Sequence, residues 1–146
     1  MHARRYVETD RDACLRAFDG NTPPYFLPHE REAFADFLDR LPGPYFVITD
    51  ADEVIACGGY AIGRVDGEAD ICWTVVRRNR QGQGVGRRLI DVCLNAIATR
   101  TNCNRVRLET SQHTRAFFER LGFTVLETTA DGFGPGLDQI QMRKSL

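Results

Sequence analysis

A glycine-rich segment in the middle of the chain has the residue types and spacing of an anion-binding turn. It runs Gln81-Gly82-Gln83-Gly84-Val85-Gly86 and leads directly into Arg87 and an amphipathic stretch. Glycines at every second position let backbone N–H groups converge without obstruction by Cβ atoms. A helix that begins there adds its free N–H groups and its positive dipole end. The segment therefore predicts a binding site for a phosphate-bearing ligand.

The glycine spacing separates this segment from two commoner phosphate-binding motifs. A dinucleotide fingerprint starting at Gly82 would need glycine or alanine at position 87, where the chain has Arg87. A P-loop would end in Lys-Ser or Lys-Thr, and that pair is missing. Residues 70–76 precede the segment and favour a strand, because β-branched and aromatic side chains predominate. The predicted order is strand, basic link, glycine turn and helix.

This order, together with a second segment, resembles the acyl-CoA-binding motif of the GNAT superfamily of N-acetyltransferases. Gln81, Gly84 and Gly86 fill the pattern Q/R-x-x-G-x-G/A. Residues 108–111 and 116–123 look like the family's fifth strand, its fourth helix and the Leu-Gly-Phe that ends this helix. The order and separation of the matches fit the family.

The resemblance implies an α/β (α+β) fold with a mixed, mostly antiparallel sheet of six or seven strands flanked by about four helices. The fourth and fifth strands, which end at Val76 and near Ser111, would splay apart and leave room for the pantetheine arm of the acyl donor. We expect residues 1–146 to form a single acyl-CoA-dependent N-acetyltransferase domain, because a chain of this length supports one core.

The resemblance also implies which residues bind acetyl-CoA, the co-substrate. Backbone groups of residues 74–76 would meet the pantetheine and thioester, and residues 81–87 would hold the pyrophosphate. Ser111 stands where an asparagine is common in the family, and it either contacts CoA or caps the fourth helix. Phe118 stands where many members carry a tyrosine that acts as the general acid. The implied cofactor-binding set is Thr74, Val75, Val76, Gln81, Gly82, Gln83, Gly84, Val85, Gly86, Arg87, Ser111 and Phe118.

The implied reaction is direct transfer of the acetyl group to a primary amine of a small molecule or a peptide. A lysine-like amine with a pKa near 10.4 is less than ~0.1% neutral at pH 7, so a base or a water relay must remove a proton. Asp70 matches the position where histone-acetylating members place a catalytic glutamate, and it is the candidate base. The alternative is a carboxylate that only belongs to the start of its strand.

Several other residues remain open as participants in the reaction. A substitute for the missing acid could come from one of four tyrosines: Tyr6, Tyr25, Tyr45 and Tyr60. His113 is either a base or a surface residue, and Cys72 is either a core thiol or the site of an acyl-cysteine intermediate. Asp131 and Asp138 lie in segment 130–138, which joins the last two strands, and they either attract a cationic amine or serve the turn.

The departures at Phe118 and Ser111 keep a second class of function open, a non-catalytic acyl-CoA-binding module. The sequence does not identify the amine, nor does it exclude acyl donors other than acetyl-CoA. A homodimer is compatible with the resemblance, and the oligomeric state stays open.

The elements that must position these residues follow from periodicity. Four strands are predicted before the glycine turn, over residues 4–8, 45–49, 54–62 and 70–76. Thr9 and Asp10 are expected to cap a first helix over 11–18. Pro28 suits the first turn of a second helix, whose apolar stripe is core or substrate-site wall and comprises Phe34, Phe37, Leu38 and Leu41. A third helix should pack Val85, Leu89, Val92, Cys93 and Ala96 on one face.

Composition excludes several functions. The formal net charge of −1 provides no electrostatic case for binding nucleic acid. No run approaches the ~20 apolar residues of a membrane span, and no signal-peptide core precedes the first strand. No metal site is predicted. The five cysteines contain no C-x-x-C pair, and we interpret them as reduced thiols of a cytoplasmic protein, with Cys57, Cys72 and Cys93 in the core.

Overall fold

The computed structural model describes all 146 residues, which form one seven-stranded sheet and four α-helices. The strands are β1 (His2–Arg5), β2 (Tyr45–Asp50), β3 (Glu53–Ile62), β4 (Glu68–Val76), β5 (Arg105–Thr110), β6 (Thr124–Gly134) and β7 (Leu137–Ser145). The helices are α1 (Arg11–Gly20), α2 (Glu30–Asp39), α3 (Val85–Arg100) and α4 (Arg115–Arg120). The strand order is β1-β2-β3-β4-β5-β7-β6. All neighbours are antiparallel except β4 and β5, so the predicted mixed sheet is confirmed.

The parallel pair β4–β5 is short and opens into a wedge. Pairing extends only from Glu68 to Asp70 on β4 and from Arg105 to Arg107 on β5. Beyond these residues β4 stays paired with β3, and β5 stays paired with β7, so the carboxyl-terminal halves of the two strands diverge. The predicted splay between the fourth and fifth strands is confirmed.

The helices cover opposite faces of the sheet. On the α1–α2 face, apolar residues of both helices pack against the sheet residues Tyr45, Val47, Cys57 and Val75. On the α3–α4 face, Ile90, Cys93, Ile97 and Phe118 pack against residues that include Ile71, Val106, Leu108, Ile140 and Met142. Because side chains alternate along a strand, the neighbours Arg107 and Glu109 on β5 project toward the α1–α2 side, where no helix buries them.

A β-bulge in β4 changes which residues share a face. Cys72 pairs with Gly59 and Val75 pairs with Cys57, so two residues of β4 lie opposite one residue of β3. Trp73 lies in the bulge with φ of 44°. Its ring therefore joins the aromatic side chains of the α1–α2 face, on the same side as Asp70 and Cys72.

The amino-terminal part of the chain differs from the sequence prediction in two ways. The first strand is His2–Arg5 rather than residues 4–8, and Asp10 does not cap α1. The Asp10 carboxylate instead accepts hydrogen bonds from Arg4 at 2.8 and 2.9 Å and from the Val7 N–H at 2.9 Å. That last bond draws the backbone at Val7 into a turn and ends the strand early. In α2, Phe34 and Leu38 are buried and Phe37 is half-buried; Leu41, predicted for the same stripe, lies beyond the end of the helix and is half-buried.

The prediction of a loop over residues 130–138 is wrong. β6 continues to Gly134 and β7 begins at Leu137, so the connection is a tight hairpin with an irregular, bulged segment after Thr129. The carboxylate of Asp131 accepts the Gly136 N–H at 2.7 Å, and the carboxylate of Asp138 accepts the Asp131 N–H at 3.0 Å. The turn-forming residues serve this hairpin because their carboxylates satisfy its free N–H groups.

All five cysteines are free thiols. Cys57 and Cys93 are fully buried as predicted, and so is Cys14, which the sequence analysis did not place in the core. Cys72 is only half-buried, because it faces the wedge rather than a packed helix. No helix of the chain is both long enough and apolar enough to span a bilayer.

Candidate active site

The wedge between β4 and β5 leads into a cavity of about 860 Å³ that is lined from both faces of the sheet. Ten of the twelve residues expected to bind the cofactor line it: Thr74, Val75, Val76, Gln81, Gly82, Gly84, Gly86, Arg87, Ser111 and Phe118. Gln83 lies outside the lining and bonds Arg80 and the Asn79 carbonyl, and the Val85 side chain is buried in the core. Asp70 lines the same cavity.

The end of the cavity at the start of α3, which we call the donor end, is built from backbone. Gly82 and Gly84 have φ of 75° and 82°, in the left-handed region that glycine adopts without a penalty. A Cβ added to either residue would meet no atom within 4 Å, so the space above the turn is open. The first α-helical hydrogen bond of α3 runs from Arg88 N–H to Gly84 O at 3.1 Å. The N–H groups of residues 85–87 precede it, and this arrangement fits a pyrophosphate.

A buried amide network ties the glycine turn to the end of β4. The Asn21 side chain, 1% exposed, donates to the Val76 carbonyl at 2.8 Å and to the Ala17 carbonyl at 2.7 Å. The Gln81 side chain donates to the Asn21 side-chain oxygen at 2.7 Å. Gln81 therefore positions the turn through its side chain, and the Val76 carbonyl already has a partner. Sequence reasoning missed Asn21, because its partners Val76 and Gln81 lie 55 and 60 residues away along the chain.

Asp70 lies where the paired part of β4 ends, on the α1–α2 side of the sheet and opposite Arg107 in the parallel register. Burial raises the pKa of the Asp70 carboxyl, the guanidinium of Arg107 opposes that rise, and Glu68 and Glu109 add to it. Arg107 also donates a hydrogen bond to Gln141. Cys72 lies two residues along the strand, and burial raises the pKa of its thiol to about 11.

The four tyrosines fall in very different surroundings. Only Tyr25 lines the cavity, where its ring meets the edge of His113 at a centroid distance of 5.8 Å. The buried Tyr45 hydroxyl donates to the Trp73 carbonyl at 2.6 Å and thereby supports the bulge in β4. Tyr60 is buried in the α3–α4 core, and burial raises the pKa of Tyr6 to about 12.

Phe118 and Ser111 both line the cavity. Phe118 is 5% exposed, and its ring packs edge-on with the Phe123 ring at a centroid distance of 5.7 Å. Ser111 does not cap α4, because Thr114 occupies that position. The Ser111 hydroxyl instead accepts the His113 N–H at 3.3 Å and closes the turn that follows β5.

The part of the cavity beyond the glycine turn, which we call the acceptor end, is built from side chains. Tyr25 borders both parts, because the Arg78 guanidinium lies 5.8 Å over its ring. Five half-buried aromatic residues line the acceptor end: Tyr25, Phe26, Phe37, Trp73 and Phe133. They come from the α1–α2 loop, α2, the β4 bulge and the tip of β6, so no contiguous sequence motif identifies them. Glu30 also lines the cavity and accepts the Leu27 N–H at 2.8 Å, and burial raises the pKa of its carboxyl.

The chain belongs to the GNAT acetyltransferase family, whose sequence profile, described as the acetyltransferase (GNAT) family, matches residues 13–123. This membership assigns acetyl-CoA as the co-substrate. A comparison with curated protein sequences finds no significant match.

Solved structures share the fold over their whole length. A Desulfovibrio desulfuricans protein described as a GNAT-family acetyltransferase has a TM-score of 0.82 at 23% identity, covering 99% of this chain and 98% of that chain. An aminoglycoside 6′-N-acetyltransferase complexed with coenzyme A has a TM-score of 0.81 at 15% identity, with coverages of 99% and 97%. A Brucella melitensis ribosomal-protein-alanine N-acetyltransferase has a TM-score of 0.78 at 20% identity, with both chains fully covered (100%). At such identities the likeness shows the fold alone.

Proposed function

We propose that the protein transfers the acetyl group of acetyl-CoA directly to a primary amine of a small molecule or a peptide. The observation that carries this proposal is that the open glycine turn, the wedge and Asp70 all border the same cavity. The backbone N–H groups around Gly84 would bind the pyrophosphate, and the wedge would take the pantetheine arm. The thioester would then lie near the point where β4 and β5 part, beside Asp70.

Asp70 acts as the base in this proposal. It accepts a proton from the ammonium group, either directly or through a water molecule, and the neutral amine then attacks the thioester carbon. The raised pKa makes Asp70 a stronger base than an exposed aspartate, while Arg107 favours its ionised form. The C–N bond forms, the C–S bond breaks, and the sulfur leaves with the electron pair. The second proton of the attacking nitrogen passes to water, which leaves a neutral amide.

Direct transfer is favoured over an acyl-cysteine intermediate. With a thiol pKa of about 11, only about one Cys72 in ten thousand is a thiolate at pH 7. The thiol group of Cys72 is therefore a poor nucleophile at neutral pH, although it borders the cavity.

The leaving group needs only modest help from an acid. A thiol with a pKa near 8.5 departs as a thiolate at a cost of about 2 kcal/mol relative to its protonated form at pH 7. Phe118 has no proton to supply, and Tyr25 is the one tyrosine that borders the cavity. Tyr25 or water therefore supplies the proton.

A non-catalytic acyl-CoA-binding module is the second candidate, and the apolar Phe118 side chain in place of an acid supports it. Release of free thiol from acetyl-CoA, measured across a panel of amines, separates the two functions. The proposal expects turnover with at least one amine. Tight CoA binding without turnover on any amine would contradict it and favour the module.

The five free thiols support action in the cytoplasm.

A further inference from the structure

The acceptor end of the cavity has an aromatic wall that continues into the core. The Trp73 ring packs against Phe26, Phe34 and Phe37 at centroid distances of 6.2, 5.1 and 6.3 Å. Phe34 is fully buried, whereas Trp73, Phe26 and Phe37 are only half-buried and border the cavity. The buried Phe18 also lies 6.5 Å from the Trp73 ring, so the core holds the rings in place, and the exposed parts of Trp73, Phe26 and Phe37 line the cavity. Rigid aromatic surfaces of this kind favour stacked or edge-on contact with another ring.

The backbone at Trp73 supports a role in binding. A bulky residue with φ of 44° is an outlier that costs free energy, and such outliers persist where the surroundings impose them. Here the buried Tyr45 hydroxyl holds the Trp73 carbonyl at 2.6 Å. The bulge places the indole on the same side of the sheet as Asp70, the proposed base, and both residues line the cavity.

The charged groups that line the cavity are mixed. Three carboxylates, from Glu30, Asp70 and Glu109, stand with three guanidinium groups, from Arg87, Arg107 and Arg120. Arg87 belongs to the first turn of α3, so the group that this end offers an ammonium is the Asp70 carboxylate rather than a net negative charge. An ammonium group next to aromatic faces gains both ion pairing and cation–π attraction.

The hairpin between β6 and β7 restricts what can enter. A Cβ at Gly134 would lie 2.6 Å from Leu27 Cδ1 and 2.9 Å from His29 Cε1, so the hairpin backbone packs directly on the α1–α2 loop. Gln112 fixes the hairpin by donating to the Gly136 carbonyl at 2.8 Å and accepting the Asp138 N–H at 2.9 Å. The hairpin and the loop bridge one side of the cavity, which suits a slim ligand better than a folded protein or an oligosaccharide.

We propose that the acceptor is a primary amine joined by a short linker to an aromatic ring. This inference rests on the proposed acetyltransferase function. The ring stacks against Trp73 and Phe37, and the ammonium group reaches Asp70, which takes its proton before the nitrogen attacks the acetyl carbon. As the C–N bond forms and the C–S bond breaks, the sulfur of CoA leaves with the electron pair and the nitrogen loses its second proton to water.

An amine panel tests the ligand class. We expect kcat/KM for 2-phenylethylamine to exceed that for n-butylamine, spermidine and an alanine-terminated peptide by about tenfold or more, because only the first buries a ring in the wall. Faster turnover of any of the other three would overturn the inference and leave the acetyltransferase function standing. Absence of turnover with every amine, while CoA still binds, would overturn both.

Substitutions in the wall test its role. Trp73→Leu and Phe133→Leu should each raise the KM for 2-phenylethylamine about five- to tenfold, while the KM for n-butylamine and the Kd for CoA change less than about twofold. Phe46→Leu is the matched control, since Phe46 is a half-buried phenylalanine on β2 outside this cavity. Phe133 lies at the end of an edge strand, so its variant remains informative if Trp73→Leu fails to fold. An equal loss for both amines would contradict a ring-binding wall.

Discussion

The donor and acceptor ends of one cavity are built in different ways. At the donor end, backbone N–H groups and left-handed glycines form the site within a few consecutive residues. At the acceptor end, side chains from the α1–α2 loop, α2, β4 and the β6–β7 hairpin converge. A backbone-built site tolerates most changes of side chain as long as its glycines and the bond between Gln81 and Asn21 stay. A side-chain-built site changes its ligand with each substitution, so the two ends should respond differently to mutation.

β4 contributes to both ends and shows the contrast within one strand. Val75 and Val76 lead into the glycine turn, while Asp70 and Trp73 face the acceptor end. The bulge separates the two halves, because it resets the alternation of side chains between them.

The largest effect is expected at the donor end. Gly84→Asp should weaken CoA binding at least about a hundredfold in a calorimetric titration, because the new carboxylate occupies the anion site and repels the pyrophosphate. Gly136→Asp is the matched control, since its φ of 81° and open surroundings equal those of Gly84. Both variants should lose a similar, small amount of melting temperature. Unchanged CoA affinity in Gly84→Asp would show that this turn does not bind the pyrophosphate.

The next effect concerns the base. Asp70→Asn should leave CoA binding intact and lower kcat/KM by roughly 10² to 10⁴, the usual contribution of a positioned base. The loss should shrink as pH nears the amine's own pKa, because solvent then supplies the neutral amine. Superimposable pH–rate profiles for wild type and Asp70→Asn would reject Asp70 as the base.

The raised pKa of Asp70 fixes the sign of two further pH effects. In the wild type, activity should fall as pH drops through this raised pKa, and Arg107→Gln should move that acid limb to higher pH, because the opposing charge is gone. The folded state holds the Asp70 proton more tightly than the unfolded state does. The free energy of unfolding therefore falls as pH rises through the folded-state pKa, and this loss is absent below the unfolded-state pKa. Asp70→Asn should therefore melt slightly higher than wild type near neutral pH and not in acid.

A smaller effect is expected where the usual acid is replaced. Phe118→Tyr should raise kcat by less than about tenfold, equivalent to 1.4 kcal/mol, because the thiolate is only mildly basic. Phe118 is buried against Phe117 and Phe123, so the added hydroxyl can instead lower turnover by crowding. A gain of about a hundredfold in steady-state assays would show that the native chain is a crippled transferase, and would favour the binding module.

The smallest effect tests the support of the bulge. Tyr45→Phe removes the hydrogen bond to the Trp73 carbonyl and should cost about 1 kcal/mol in the free energy of unfolding. It should also raise the KM of the acceptor by a few-fold, with CoA affinity retained, since only the acceptor end uses the bulge. Tyr60 is another buried tyrosine, and Tyr60→Phe serves as the control. It should change neither the KM of the acceptor nor the Kd of CoA. Equal effects on CoA and acceptor would contradict a separate acceptor end.

Much of the fold was predictable because its signals are local. The strand of residues 70–76, the glycine turn and the helix after it all appear where the sequence predicts them. The bounds of the first strand and the Asp10 cap were wrong, because the Asp10 carboxylate bonds Arg4 and the Val7 N–H rather than the first turn of α1. The supposed loop at 130–138 became a hairpin for a similar reason: pairing with β7 outweighs the turn-forming preference of the residues.

The sequence by itself determined the donor end, since closely spaced glycines before a helix set the backbone geometry that anion binding needs. Only the tertiary structure decided the acceptor end. The bulge at Trp73, held by Tyr45, and the packing of Gly134 on the α1–α2 loop each join residues distant in sequence. At the donor end, tertiary structure added only the Asn21 network that holds the glycine turn. Such contacts depend on how the sheet registers and how the helices pack on it, and local residue preferences do not encode either one.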